Sequence, residues 1–161
     1  MTREEPNLIR AKDIVEAEES MSHPLNENSH VIGTRMSSFT GLSRVGVSIV
    51  RIPVGKESFA YHSHYCEEEW LYILSGVGIA EIDGEEHDVA AGDFMGFPAP
   101  SVAHHLRNSG DEELVYLMGG ESSAVEVADF PRHGKRMVRR GPVAELFDFS
   151  AAQSFAAQDD D

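Results

Sequence analysis

Cations, cysteine and long apolar runs are scarce in this chain. It carries 13 Lys and Arg against 28 Asp and Glu, a formal net charge of -15. That balance repels phosphodiester backbones and anionic lipid, so nucleic acid and membrane surfaces are excluded as partners. The single cysteine, Cys66, rules out an intrachain disulfide framework and suits a reducing compartment. No window reaches the roughly 18 apolar residues of a membrane span. Met1 to Ser20 has no apolar run of the secretory kind, and the expected location is the cytoplasm. With 161 residues, the chain has the size of one domain around one core.

What is present is a series of short alternating segments. Val45, Val47 and Ile49 alternate with Gly46, Ser48 and Val50, a strand pattern. Further strand-like runs fall at 59–64, 69–74, 78–82, 86–89, 94–97, 102–107 and 114–118. Turn residues separate them, the sharpest being Asp83-Gly84, a pair suited to a type I′ hairpin. Many short strands with little helical periodicity predict an all-β sandwich or small barrel. Residues 1–42 read as a mainly extended arm with a short helical turn near 13–19, and His23 and His30 in it read as surface residues. So do His87 and His133. A less regular section covers 125–140, and the Ala-, Gln- and Asp-rich end from Ser150 is predicted disordered.

The chemistry concentrates in His62, His64, Glu69 and His104. On a strand, His62 and His64 point to the same face. Three imidazoles and one carboxylate can make one site for a divalent first-row metal. The period-two rule chooses between His104 and His105. Val102, His104 and Leu106 share a face that is apolar apart from the histidine, so His104 points inward and His105 outward. Glu67 and Glu68 read as a solvated acidic turn, because a carboxylate inside a barrel needs a compensating charge. Cys66 reads as a thiol without a role. Along 69–74 both faces are apolar, so that strand is expected to be covered on both sides, by the leader or a second subunit. Leu8, Ile9, Ile14 and Val15 also call for cover.

These residues resemble the cupin superfamily. Gly55, His62-Ser63-His64, Glu69 and Gly76 are similar to its first signature, and Gly92, Pro98, His104 and Asn108 to its second, with fifteen residues between Gly76 and Gly92. The likeness extends over 44–118. Two departures lie in loops: six residues rather than five precede His62 after Gly55, and Pro98-Ala99-Pro100-Ser101 replaces a proline-x-glycine turn. The resemblance implies an all-β double-stranded β-helix, a cupin or jelly-roll barrel. Its arm would span 1–42, the barrel 43–120, a C-terminal extension packed on the barrel 121–149, and a disordered tail 150–161. It also implies His62, His64, Glu69 and His104 as ligands of a divalent ion (Zn, Mn, Fe, Ni or Co), and a homodimer.

An octahedral ion with four protein ligands keeps about two positions for an oxygen-rich substrate. Within the superfamily, the chain most resembles small bacterial members provisionally described as sugar-phosphate isomerases. The stretches that carry this are 67–72, 97–108 and Val127-Ala128-Asp129-Phe130-Pro131 with Gly134-Lys135. The implied function is metal-dependent isomerisation of a small sugar phosphate, which needs a base and a cation for the phosphate. Glu69 and Tyr61 are the candidate bases. Arg51 and Lys56 are the candidate phosphate holders, with Arg107 a third that parity turns outward. Phe97 is a candidate wall residue against substrate, as are Trp70 and Met95. Two alternatives use the same ligands: a cupin dioxygenase or decarboxylase, and a non-catalytic cupin that binds a small molecule.

Overall fold

The computed structural model describes residues 7–155. In chain order the elements are α1 (Ala11–Glu16), β1 (Glu19–Met21), β2 (Val31–Arg35), α2 (Ser37–Thr40), β3 (Val45–Ile52), β4 (Ser63–His64), β5 (Glu69–Ser75) and β6 (Val77–Ile82). There follow β7 (Glu85–Ala90), β8 (Phe94–Phe97), β9 (His104–Asn108), β10 (Leu114–Glu121), β11 (Val125–Phe130), β12 (Lys135–Arg140) and β13 (Val143–Asp148). Asp83 and Gly84 both take positive φ, 51° and 82°, and close the β6–β7 hairpin as their side chains permit.

Strands β1-β2-β3-β10-β5-β8 form one antiparallel sheet. The opposite wall is made of β7-β6-β9 and β13-β12-β11-β4, which meet where the backbones of His62 and His104 pair. The two walls close as the expected all-β double-stranded β-helix. Ile52, Ile73, Leu114 and Tyr116 are fully buried between them, with Ala80, Val89 and Leu106 from the second wall. Each large apolar side chain removed from water contributes about 1.5–3 kcal/mol. Asn108 ends β9 by tying a turn: its Nδ2 donates to the Ile52 and Glu112 carbonyls, and its Oδ1 accepts from the Gly110 amide.

Several local expectations change. The leader is not mainly extended. Its β1 and β2 add two strands to the large sheet, and the Thr34 hydroxyl donates to the Ile14 carbonyl of α1 at 2.6 Å. Residues 125–140 form a regular hairpin, β11–β12, whose β11 pairs with β4. Pairing partners outside the segment create that order, so local periodicity understates it. The run at 59–64 is a strand only at its end, its earlier contact with β9 being the isolated bridges of Glu57 with Arg107 and of His62 with His104, on either side of Phe59 to Tyr61. Val102 precedes β9 and is exposed rather than interior. His23 is half-buried against Phe59 and Phe130. The outer face of β5 is not covered within the chain: Tyr72 and Leu74 are exposed, as is Phe94 beside Tyr72 on β8. Residues 150–155 are exposed, and the rest of the predicted disordered tail lies outside the described residues.

Candidate metal centre

Three strands and a backbone bridge assemble the cluster. β4 delivers His64 while the bridge to His104 holds His62. Alternation along β5 turns Glu69 inward together with the buried Leu71 and Ile73. His104 opens β9 and is itself buried. Glu69 Oε2 lies 2.8 Å from His104 Nε2 and 3.2 Å from His64 Nε2. His62 Nε2 and His64 Nε2 are 3.1 Å apart. One ligand atom from each of the four residues lies within 4.8 Å of the others.

The outward nitrogens explain why the inward ones converge. His62 Nδ1 donates to the Ala60 carbonyl at 2.6 Å and His104 Nδ1 to the Val102 carbonyl at 3.1 Å. A proton held on Nδ1 leaves the Nε2 lone pair facing the cluster, as in metal-binding histidines. His64 Nδ1 faces Glu126 Oε1 at 3.7 Å. Glu126 comes from β11, is 1% exposed, and accepts the Tyr65 and Cys66 amides on Oε1. His64 Nδ1 and Glu126 Oε2 have no hydrogen-bond partner.

The charges follow from this packing. Burial, reinforced by the neighbouring His104, pushes His62 down to about 3 and keeps it neutral. Burial pushes Glu69 the other way, but the His104 and His64 rings against it outweigh this and hold the carboxylate below its usual range. Burial lowers His64 too, and the hydrogen bond to Glu69 with the charges of Glu69 and Glu126 reverses this to a net rise. An ionised carboxylate among three converging imidazole nitrogens, which give up any proton when a metal binds, is the donor set of a divalent cation. The residues present therefore fit the metal that the superfamily resemblance implies.

A chamber of about 20 Å³ beside the cluster is lined by Glu69, Phe97, Tyr116 and Met118 among others, room for about one water. Through Phe59 and Met118 it adjoins a groove of about 560 Å³ between the leader and the large sheet. Tyr116 is completely buried and its hydroxyl has no protein partner. Burial, with Glu69 nearby, raises its pKa and keeps the phenol protonated.

The other nominated residues divide. Phe97 joins the cluster, its ring stacked on His104 at 3.7 Å and 9°. Met95 also lines the chamber, whereas Trp70 lies on the outer face, stacked with Phe94. Tyr61 does not reach the cluster; its ring lies under the Arg132 guanidinium, 4.2 Å away. Arg51 lies on the outer face, in ion pairs with Glu18 and Glu113. Lys56 Nζ donates to Asn28 Oδ1 and does not line the chamber or groove. Arg107 pairs with Glu86 outside the barrel. His105 is not part of the cluster; it is buried 3.3 Å from Glu57 and also borders the inner chamber. Cys66 is exposed and free. Glu67, expected in a solvated turn, is ion-paired with Arg139 and accepts the Ser123 amide. This engages it although it lies close enough to His64 and Glu126 to share an ion.

Sequence reasoning did not find Glu126 or Tyr116. Their signal is a polar group at period two on an apolar face: Glu126 with Ala128 and Phe130, Tyr116 with Leu114 and Met118.

The comparisons with known proteins agree with this architecture. Residues 48–120 match the family described as the cupin domain. A structure from Acidithiobacillus ferrooxidans, provisionally named a sugar phosphate isomerase, superposes with TM-score 0.88 and 33% identity, over 94% of this chain and 98% of that one. One from Silicibacter pomeroyi, named a sugar phosphate isomerase from a cupin superfamily, superposes with TM-score 0.78 over 88% of this chain and 95% of that one. At 22% identity it supports the fold alone. An uncharacterized protein of Methanocaldococcus jannaschii is 38% identical over 66 residues, 41% of this chain. The match spans about half of that curated relative, 51% of its length. Family match, full-length relative and barrel architecture coincide, and the chain belongs to the cupin family.

Proposed function

We propose that the protein is a metal-dependent isomerase of small sugar phosphates, with His62, His64, Glu69 and His104 as the metal ligands. The observation that carries this reading is the convergence of three Nε2 atoms and Glu69 Oε2 beside a small chamber that adjoins the groove. The name of the 33% identical, full-length relative supports the substrate class.

A divalent ion in this site supplies Lewis acidity toward a carbonyl and its neighbouring hydroxyl. The chain's own groups do the rest. Glu69 is the one carboxylate among the described residues lining the chamber, so it carries the proton. It accepts the proton from C2 of an aldose and returns it to C1, while the hydroxyl proton passes from O2 to O1. No atom or electron is gained or lost overall. The unpaired Tyr116 hydroxyl donates a hydrogen bond to a substrate oxygen. Phe97 holds the His104 ring in place and keeps water from that side. Tyr61, Arg51 and Lys56 have no part in this reading, since other residues hold them outside the chamber.

The reading includes a homodimer formed through the exposed apolar outer face of the large sheet, at Tyr72, Leu74 and Phe94. The test of function is elemental analysis of protein purified without a metal-affinity tag, then an isomerase screen of pentose and hexose phosphates. Stoichiometric metal with turnover is expected. Metal with ligand binding but no turnover of any sugar phosphate leaves a binding protein, and absence of metal sinks the reading.

A further inference from the structure

Isomerisation of a sugar phosphate needs a place for the phosphate, and the three cations nominated from the sequence lie outside the cavity. The inner face of the large sheet offers another. Cross-strand register aligns Arg35 of β2 with Ser48 of β3, Met118 of β10 and Leu71 of β5. Leu71 is buried in the core, so this row, Arg35 included, faces the barrel interior. The neighbouring row is Gly46, Gly120 and Glu69. A Cβ on Gly46 would stand 3.0 Å from an Arg35 terminal nitrogen, so the guanidinium lies across β3 in space that a side chain there would occupy. From β3 to β5 is two strand spacings, about 10 Å.

Arg35 lines both the 560 Å³ groove and the adjoining pocket that holds His64 and Glu69. It is the one Lys or Arg among the described residues lining these spaces or the inner chamber. Among the described residues it is also without a carboxylate partner, whereas Arg51, Arg107, Arg132, Arg136 and Arg139 each hold one. Of the acids lining the same pocket, Glu67 is neutralised by Arg139 and Glu69 belongs to the histidine cluster. Glu68 and Glu121 keep their charge, so Arg35 is the group there that attracts an anion. In a chain of net charge -15, an anionic ligand meets repulsion except where a cation is left free.

We infer that Arg35 is the anion-recognition residue of the cavity, a fork of N–H donors for the phosphate end of a substrate whose carbonyl end lies at the His62–His64–Glu69–His104 cluster. The inner chamber is too small for a sugar, so the body of the ligand lies in the groove, and a phosphorylated five- or six-carbon chain bridges the two ends. A planar guanidinium suits a phosphate by bidentate hydrogen bonding. The assignment takes the identity of its ligand from the isomerase reading; the anion site itself rests on the geometry of Arg35.

The test is calorimetric titration of ribose 5-phosphate, ribose and inorganic phosphate into the wild-type chain, Arg35→Gln and Arg35→Lys, with metal content and thermal melting measured on the same samples. Arg35→Gln is expected to weaken ribose 5-phosphate and inorganic phosphate by about tenfold or more, with ribose binding, metal content and melting unchanged. Arg35→Lys, which keeps the charge and loses the fork, recovers part of the affinity. Equal affinities for wild type and Arg35→Gln overturn the inference, as does failure of the wild type to bind either phosphate compound. Protein that takes up no metal but still shows the Arg35 dependence with inorganic phosphate sinks the isomerase reading and leaves the anion site standing.

Discussion

His62 and His104 are backbone partners: the His62 amide donates to the His104 carbonyl at 3.2 Å, and the His104 amide donates back at 2.8 Å. Their ring centroids are 4.7 Å apart. Residues that exchange both hydrogen bonds in an antiparallel pair send their side chains to the same face. The bridge that joins the two parts of the second wall thus also brings two of the four proposed ligand side chains together. The third, His64, follows two residues later on the same face.

The first prediction concerns that cluster. The wild-type chain is expected to hold about one divalent ion by elemental analysis. His104→Ala weakens the binding by more than about a hundredfold, beyond the usual effect of an outer-shell partner. His62→Ala does the same. A folded His104→Ala chain with wild-type metal content counts decisively against the ligand assignment.

Glu126 tests the layer behind the ligands. Its carboxylate faces His64 Nδ1 and holds the Tyr65 and Cys66 amides, so it orients the β4 end of the site. Glu126→Gln retains an oxygen for the amides but removes the charge, and is expected to cost about 10–100-fold in metal affinity with little change in circular dichroism. Glu126→Ala removes the acceptor of the Cys66 amide, while the Tyr65 amide keeps the Val127 carbonyl, and costs about 1 kcal/mol of stability as well. Unchanged metal affinity in Glu126→Gln would show that His64 needs no support from β11.

His23 gives the fold a pH dependence away from the metal site. Its Nδ1 accepts the Leu25 amide at 3.1 Å, and its ring sits against Phe130 at 5.2 Å. Burial, helped by the charge of His133, lowers its pKa below the ordinary histidine value. The unfolded chain therefore binds the proton more readily than the folded one. The stabilising contribution is complete above about pH 6.5 and is lost as pH falls through the window below it. Urea midpoints at pH 8 and pH 5 should differ more for the wild type than for His23→Asn, which offers Leu25 an oxygen acceptor that does not titrate there. Equal differences in the two proteins would remove His23 from the explanation.

Phe94 tests self-association. It is 63% exposed, lies opposite Tyr72 in the β5–β8 pairing, and its ring stacks on Trp70 at 6.3 Å. Sedimentation of the wild type should give the mass of two chains. Phe94→Asp is expected to weaken the dimer by about 2 kcal/mol or more, the scale of a central aromatic contact. A single-chain mass for the wild type at tens of micromolar would end the proposal.

Strand alternation and motif spacing were enough to place the barrel strands, to choose His104 over His105, and to mark His62, His64 and Glu69 as its companions. These properties are local: side chains alternate with period two whatever the strand pairs with. Tertiary structure alone decided what stands around the cluster. Glu126 reaches His64 across 62 positions of chain through β11–β4 pairing, Arg35 reaches the cavity through a strand read from the sequence as an arm, and Tyr116 loses its hydroxyl partner by burial. It also withdrew Arg51, Lys56 and Tyr61 from the site, because Glu18, Glu113, Asn28 and Arg132 engage them elsewhere. A sequence shows which residues carry charge or a ring; whether a neighbour has already taken it depends on contacts between distant segments.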